Sequence, residues 1–454
     1  MKKYLAIFLG IVFVFPLYSQ EMGSQEHDDG IGKEAGEEIA SEEKPASEPE
    51  KKKIDFARKY FEIGFDVGAG FDNGLVGLTD VFQKNIEIDL SKIAQSVPED
   101  GSGLNVDFSV DVFLNIKNIP IGKGLWGFGF NTSVDGGVHL NIPKSLFELI
   151  AEGNTENHDA SGVISASGGV FTEIGLTGWA KYKVKGKSLY IGVKPAVFIP
   201  AVYISPGSGI SYHLKTEKDG REGLFIGTAG EISVYTAISF EDIISGNSAS
   251  FDEIEPLSLI KGPSGFDLSL EGEYALSPFL DIGGSFSHIP FLAATLTNEM
   301  KMSMEQINIG FAGEDLISGE EPETPEPEIN ILYNNNASKD VRRPLRLDVY
   351  ARYKPFKSEA LVIRPNVGFS ANINKGDEKW YINGGLELKL NLINLFVITL
   401  GSSYQEEFWK QRAGITFNLR ALELDLQAVV RDKTFNDCFK GRGFEINVGM
   451  RFGF

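Results

Sequence analysis

The sequence predicts an all-β fold, a transmembrane antiparallel β-barrel of about 14–16 strands with short plug or rim helices. Three observations predict it. Apolar and polar residues alternate with a period of two along most of residues 54–454, the first residues have the layout of an export signal, and the final alternating run stops on an aromatic, Phe454.

Each period-two run places every second side chain on one face of a sheet. Phe61, Ile63, Phe65, Val67, Ala69 and Phe71 alternate with Glu62, Gly64, Asp66, Gly68 and Gly70. Leu104 to Ile116 repeats the pattern against Asn105, Asp107, Ser109, Asp111 and Asn115, with Phe113 the one departure. Further runs begin near Trp126, Val170, Leu189, Leu224, Phe266, Leu345, Leu361, Trp380 and Leu422. Many span about 9–13 residues, the length a tilted strand needs to cross hydrocarbon, whereas strands of soluble sheets centre on about 5 or 6. Trp126, Tyr203, Tyr353, Trp380 and Tyr381 fall near run ends, where interfacial girdles lie in such barrels. No motif repeats at about 40 residues, as a propeller requires.

In the last run Phe444, Ile446, Val448, Met450, Phe452 and Phe454 alternate with Glu445, Asn447, Gly449, Arg451 and Gly453. It resembles the terminal strand by which outer-membrane barrels are recognised by their assembly machinery, which makes these six apolar residues the expected assembly signal.

At the other end, Lys2 and Lys3 precede an apolar stretch from Tyr4 to Tyr18, and Ser19 offers a small residue for cleavage before Gln20. Residues 1–19 therefore read as a signal peptide and 20–53 as a disordered acidic leader, too poor in bulky apolar residues to offset the entropy of ordering. Residues 54–454 are left for the barrel. No later stretch approaches about 18 consecutive apolar residues, so helices do not hold the chain in a membrane.

The 454 residues carry a net charge of −20, which excludes a nucleic-acid partner, because phosphate binding needs a basic footprint. Cys438, the single cysteine, cannot form an intramolecular disulfide, and no Cys/His spacing suggests a metal. No cofactor is expected. The five histidines, His27, His139, His158, His213 and His288, accompany no GxSxG elbow and no HExxH helix, so no enzyme is expected.

If the greasy face meets lipid, the polar face lines a lumen. Its candidates are Glu62, Asp66, Asp107, Asp111, Glu271, Glu273, Asp348, Arg352, Arg364 and Glu387, serving as ligand contacts or as charges that hold the wall together. With as many strands as predicted, this face encloses a cavity or channel. Two helical segments suit its interior or its rim. Leu78, Val81 and Phe82, within an interruption from Leu75 to Val97, have helical spacing behind Thr79 or Asp80. In IPKSLFELIAEGN, Pro143 opens a helix, Leu146, Leu149 and Ile150 share a face, and Gly153 ends it. The tracts Glu241–Gly262 and Gly313–Arg343, the latter holding GEEPETPEPE (319–328), are expected to project as loops.

The strand ending VDGGVHLNIP and the following KSLFELIAEGN resemble a group of uncharacterised outer-membrane barrels. In size, signal peptide, terminal phenylalanine and early hatch-like segment the chain also resembles the long-chain fatty acid transporter family. That family has a 14-stranded barrel with an N-terminal hatch in its lumen. Its Asn-Pro-Ala start is absent here, and no binding residue is carried over. The resemblance implies passive uptake of a hydrophobic molecule through a plugged, laterally open barrel. The expected function is thus passive transport of a small or hydrophobic solute across the outer membrane, with outer-membrane lipid, the assembly machinery and a hydrophobic ligand as partners. The alternatives are a surface barrel acting as adhesin or structural protein and, ranking lower, a membrane-embedded hydrolase.

Overall fold

The computed structural model describes residues 60–73, 101–152, 159–206, 209–217, 223–240, 263–312 and 329–454, with scattered positions between 91 and 99. The signal peptide, the leader, nearly all of the 75–97 segment and the tracts 241–262 and 313–328 lie outside the described residues.

Strand β1 (Phe61–Asp72) pairs with β2 (Ser102–Ile121), which pairs with β3 (Gly124–Ile142). Helix α1 (Lys144–Glu152) leads to β4 (Asp159–Val184) and β5 (Lys187–Ile204). Next come β6 (Gly209–Glu217), β7 (Gly223–Thr236) and β8 (Gly265–Ser277). Two tall, broken segments follow, β9 (Leu280–Leu292) with β10 (Ala294–Leu296) and β11 (Asn298–Ala312), then β12 (Ile329–Asn334) with β13 (Lys339–Val341) and β14 (Leu345–Tyr353). The wall is completed by β15 (Leu361–Asn372), β16 (Lys379–Leu392), β17 (Phe396–Gln405), β18 (Phe408–Asn418), β19 (Leu422–Asp432) and β20 (Gly443–Gly453).

All pairings are antiparallel, and β20 pairs back onto β1 from Phe71↔Phe444 to Ile63↔Phe452, so the sheet closes and has no free edge there. From β4 the ring continues through β5, β8, β9 and β14 to β15–β20, fourteen strands in circuit. Adding β6 and β7 gives the sixteen strands of the wall, with β11 and β12 continuing it beyond β9 and β14 and with β10 and β13 forming a separate two-stranded ribbon. The β6–β7 hairpin stands above β5 and β8: β6 pairs with the first residues of β4, and β7 with the last of β5 and with β11.

β1 begins and β20 ends at one end of the barrel, the near end. The turns there are short: Lys185 and Gly186, with φ of 51° and 79°, make the kind of two-residue turn whose twist suits a hairpin. The opposite, far end carries α1, the long connections and the tall strands. There Ser145 Oγ lies 2.9 Å from the Ser161 carbonyl and 2.5 Å from the Tyr212 hydroxyl, fastening α1 against β4 and β6 at the far rim.

The two faces are those the alternation predicts. Ile382 is 77 % exposed and Leu176 61 %, and Val112, Val367, Leu386 and Ile446 share that outward face. Among the described residues no helix is long and apolar enough to cross a membrane. Phe113, the departure from alternation, points inward and lies over Gly64, where a Cβ would sit 2.6 Å from its ring, and the Arg451 guanidinium covers it at 5.8 Å.

Two expectations need correction. Tyr203 and Tyr381 are not girdle residues: Tyr203 is buried on the inner face against Leu296 and Val341, and Tyr381 alternates with the outward Trp380 and Ile382. The loop expected over 313–343 is β-structure from Ile329 onward, because β12 pairs with β11 and β13 with β10.

Candidate functional site in the barrel interior

The interior is organised around the β10–β13 ribbon, which leaves the wall and folds onto the inner face of β4 and β5. Inward orientation follows from register: Phe171, Phe198 and Tyr203 share the face of Glu173, opposite the exposed Ile174 and Leu176. Leu296 and Val341, both fully buried, pack on Tyr203, flanked by Phe171, Tyr235 and Ala237. Thr295 and Asp340 hydrogen-bond at 2.7 Å on the opposite, exposed side of the ribbon. One face of this strap is therefore greasy and docked, the other polar.

Charge holds it down at two points. Arg343, 4 % exposed, donates to both Asp267 oxygens at 2.7 Å and to Glu173, and its guanidinium lies 5.2 Å from the Phe198 ring centroid. Glu173 also meets Lys194 Nζ at 2.5 Å and accepts from Asn131 Nδ2 at 2.8 Å, so strands β3, β4, β5 and β8 all contribute to one ion cluster around Arg343 and Glu173. Such a triad is paired and multiply hydrogen-bonded, as a buried ion cluster must be.

At the second point Asp377, in the β15–β16 connection, accepts from Lys339 Nζ at 2.8 Å, the Tyr203 hydroxyl at 2.8 Å and Ser205 Oγ at 2.7 Å. Burial alone pushes the Asp377 carboxyl up, but these donors and the Lys339 charge outweigh it and hold it below the usual carboxylate range. Asn374 of the same connection binds the Arg342 backbone from both sides, accepting from its N–H at 2.6 Å and donating to its carbonyl at 3.0 Å.

Of the predicted lumen candidates, Glu273 and Arg352 pair with each other, and most of the rest engage other side chains of the wall. Glu62 meets Lys117 at 2.8 Å, Asp66 meets Arg451 at 3.4 Å, Asp107 accepts from Arg431, and Glu271 from Tyr190. Arg352 bridges Glu273 at 3.0 Å, Asp281 at 3.4 Å and Glu359 at 2.8 Å. Arg364 stacks 4.1 Å from the centroid of Tyr350, whose hydroxyl donates to Glu273 at 3.1 Å. Glu387 lies 3.7 Å from Arg412 and 3.6 Å from Lys389. Asp348 stands between Ser285 and Gly368 in register, and Asp111 sits opposite Asp66 with a buried Oδ1 that has no hydrogen-bond partner. In the expected assembly set, Ile446 and Phe452 are exposed on the outward face, and Phe454 stacks on Phe61 with centroids 5.8 Å apart.

Sequence reasoning missed Arg343, Asp267, Lys339 and Asp377. Asp267 and Glu173 were visible as the polar members of alternating runs, but Arg343 lay in a tract read as loop, and nothing local marks Asp377. Among the described residues no group of three or more His, Cys, Asp or Glu is placed to hold a metal ion. Cys438 is buried in a 3₁₀ turn (Asp437–Lys440), and burial pushes its thiol up to about 11.

No curated protein sequence matches the chain. Among solved structures it is similar to a mutant of the monoaromatic hydrocarbon channel TodX, at 11% identity over 88% of this chain and 92% of that one, with a TM-score of 0.41. It is also similar to the Ralstonia pickettii toluene transporter TbuX (10% identity, 88% and 90% covered, TM-score 0.42) and to a Pseudomonas aeruginosa FadL homologue (9%, 87% and 90%, 0.41). A model of a family of unknown function, DUF5723, matches residues 54–362, more than half of the sequence, and the chain belongs to that family.

Proposed function

We propose that the protein is an outer-membrane β-barrel for passive transport of a small or hydrophobic solute, with the β10–β13 strap as the segment that shifts to let it pass. The observation that carries this reading is the docking of Leu296 and Val341 on the inner aromatic patch of Phe171, Tyr203 and Tyr235. A docked apolar strap can be replaced on that patch by an apolar solute of similar bulk, so binding and opening are one event. The closed sheet and its outward apolar belt suit the outer membrane, with the near end periplasmic, where short turns belong. The inner-face charges are paired largely with one another, which suits a role in holding the wall.

A sealed surface barrel acting as an adhesin makes different predictions, and one test separates the two. The full chain is refolded into detergent and planar bilayers, and heat-modifiable gel mobility, single-channel conductance and binding of a fatty acid are measured together. A heat-modifiable barrel that binds the fatty acid without steady conductance supports the proposal. Stepwise conductance without binding points instead to an open pore for hydrophilic solutes. A folded barrel with neither leaves the surface role, and failure to insert removes the membrane reading altogether.

A further inference from the structure

The strap carries charge as well as apolar bulk onto the wall. In β13 and the residues after it, Lys339, Val341 and Arg343 alternate with Asp340 and Arg342, and burial alternates with them: Val341 and Arg343 are buried and Asp340 is exposed. The docked face therefore reads cation, apolar, cation, with the two charged residues roughly 13 Å apart along the chain at about 3.3 Å per residue. Each of the three meets a matching partner. Lys339 Nζ sits 2.8 Å from Asp377 Oδ2 and over the rings of Tyr203 and Tyr235, 5.5 and 5.9 Å from their centroids, so a carboxylate and two aromatic faces surround one ammonium. Arg343 is held by Asp267 and Glu173 and lies over Phe198. Between them Val341, with Leu296, covers Tyr203 and Phe171.

With the strap displaced, the wall keeps Asp377, Glu173 and Asp267 against the ammonium of Lys194 at these points, an excess of two negative charges that Lys339 and Arg343 balance when docked. Half-buried carboxylates without counter-charges are costly; a solute that brings only apolar bulk leaves that cost standing, and one that brings two cations removes it. We infer that the surface beneath the strap is a binding site for a linear organic dication, an apolar chain ending in two amino or guanidino groups, for which the strap is the built-in substitute. One cation takes the place of Lys339 among Asp377, Tyr203 and Tyr235, the other that of Arg343, and the chain takes that of Val341 and Leu296. The inference rests on the reading above that the strap shifts, and adds to it the charge and length of the solute.

The probe is decamethylenediamine, a dication at neutral pH whose extended chain has a comparable span; decanediol is its uncharged counterpart, and ethylenediamine carries the charges without the spacer. Binding to the full chain in phosphatidylcholine vesicles is measured by equilibrium dialysis against empty vesicles, with hydrogen exchange at 339–345 reporting on the strap and heat-modifiable mobility on folding. The diamine is expected to bind about a hundredfold more tightly than the diol, the worth of two charge-assisted hydrogen bonds, and to speed exchange at 339–345. Lys339→Met and Asp377→Asn break the same ion pair, and a purely structural pair predicts the same effect from both. A ligand site predicts opposite ones. Lys339→Met removes the resident competitor and keeps the carboxylate, so the diamine is expected to bind about tenfold more tightly than to the parent; Asp377→Asn is expected to cut its preference over the diol about tenfold. Equal binding of diamine and diol to the parent, a preference unchanged in Asp377→Asn, or displacement of the diamine by equimolar ethylenediamine overturns the dication site and leaves the strap reading standing. A folded barrel that binds neither long probe, even as Lys339→Met, refutes the strap reading and the site with it.

Discussion

Arg343→Met removes a charge on which the strap depends while keeping much of the side-chain volume. Asp267, 1 % exposed, loses the guanidinium that holds both its oxygens, whereas Glu173 keeps Lys194 at 2.5 Å and Asn131 at 2.8 Å. Stranding a buried carboxylate in this way costs about 3–5 kcal/mol. The rest of the barrel is held by its closed ladder of backbone hydrogen bonds, so the cost falls on the strap. A bias of about 3 kcal/mol multiplies the open population roughly a hundredfold. Hydrogen exchange followed by mass spectrometry is expected to show faster exchange in peptides covering 339–345 and 294–296, with little change in β16–β20. Bilayer recordings are expected to show brief openings absent from the parent. Asp267→Asn in the same chain neutralises the stranded charge and is expected to restore about half of the lost protection. Unchanged exchange at 339–345 in Arg343→Met would refute the claim that this ion cluster locks the strap; a uniform rise over the whole barrel would show that it stabilises the wall instead.

Other substitutions test other parts of the structure. Deleting Phe454 removes the ring stacked on Phe61 and a backbone carbonyl accepting from Tyr60 at 2.9 Å; folded, heat-modifiable protein in cells is expected to fall several-fold, and an undiminished band would contradict the assembly role. Gly64→Ala forces a methyl to 2.6 Å from the Phe113 ring and 2.8 Å from the Met450 carbonyl, at a cost of about 1–3 kcal/mol in urea unfolding from vesicles, and Phe113→Leu in the same chain should recover part of it. The Asp377 carboxyl is depressed in the folded protein, so its stabilisation is present above its unfolded pKa, about 3.9, and is lost as pH falls through the lower folded value. Exchange at 374–379 should therefore accelerate as pH falls below about 4, after correction for intrinsic rates, and Asp377→Asn should exchange fast at all pH values; identical profiles would contradict the tie. Cys438, with its thiol raised to about 11, should resist maleimide at neutral pH until the barrel is unfolded, and rapid labelling of the folded chain would show the 3₁₀ turn to be open.

The wall was legible wherever alternation was uninterrupted, since period two fixes both the strand and the face. β1, β2, β16 and β20 belong to this class, and their acidic positions could be assigned to one side before any pairing was known. Strands that break the rhythm gave weaker signals. β9 contains Gly283, Gly284 and a register shift around His288, whose φ is 57°, and β17 opens with Phe396, Val397 and Ile398 in succession. The strap was illegible for a different reason. Ala294, Leu296 and Val341 become a core only because β10 and β13 pair across more than forty residues and then fold onto β5, a contact of long sequence separation that no local pattern encodes. Arg343 followed the same logic: beside Pro344 it reads as a turn residue, and only tertiary structure brings Glu173 and Asp267 to it.

The unequal height of the wall has a consequence for anything approaching the mouth. β4 runs for 26 residues, roughly 85 Å of extended chain at about 3.3 Å per residue, far more than a tilted crossing of a hydrocarbon layer about 25 Å deep uses. β6, β7, β11 and β12 rise beside it, whereas β17 and β18 meet across residues 406–407 with almost no overhang. The barrel thus has a parapet on one flank and a low sill on the other. On the transport reading proposed above, the unobstructed way to the mouth lies over the sill of β17 and β18, across the ring from the β6–β7 parapet.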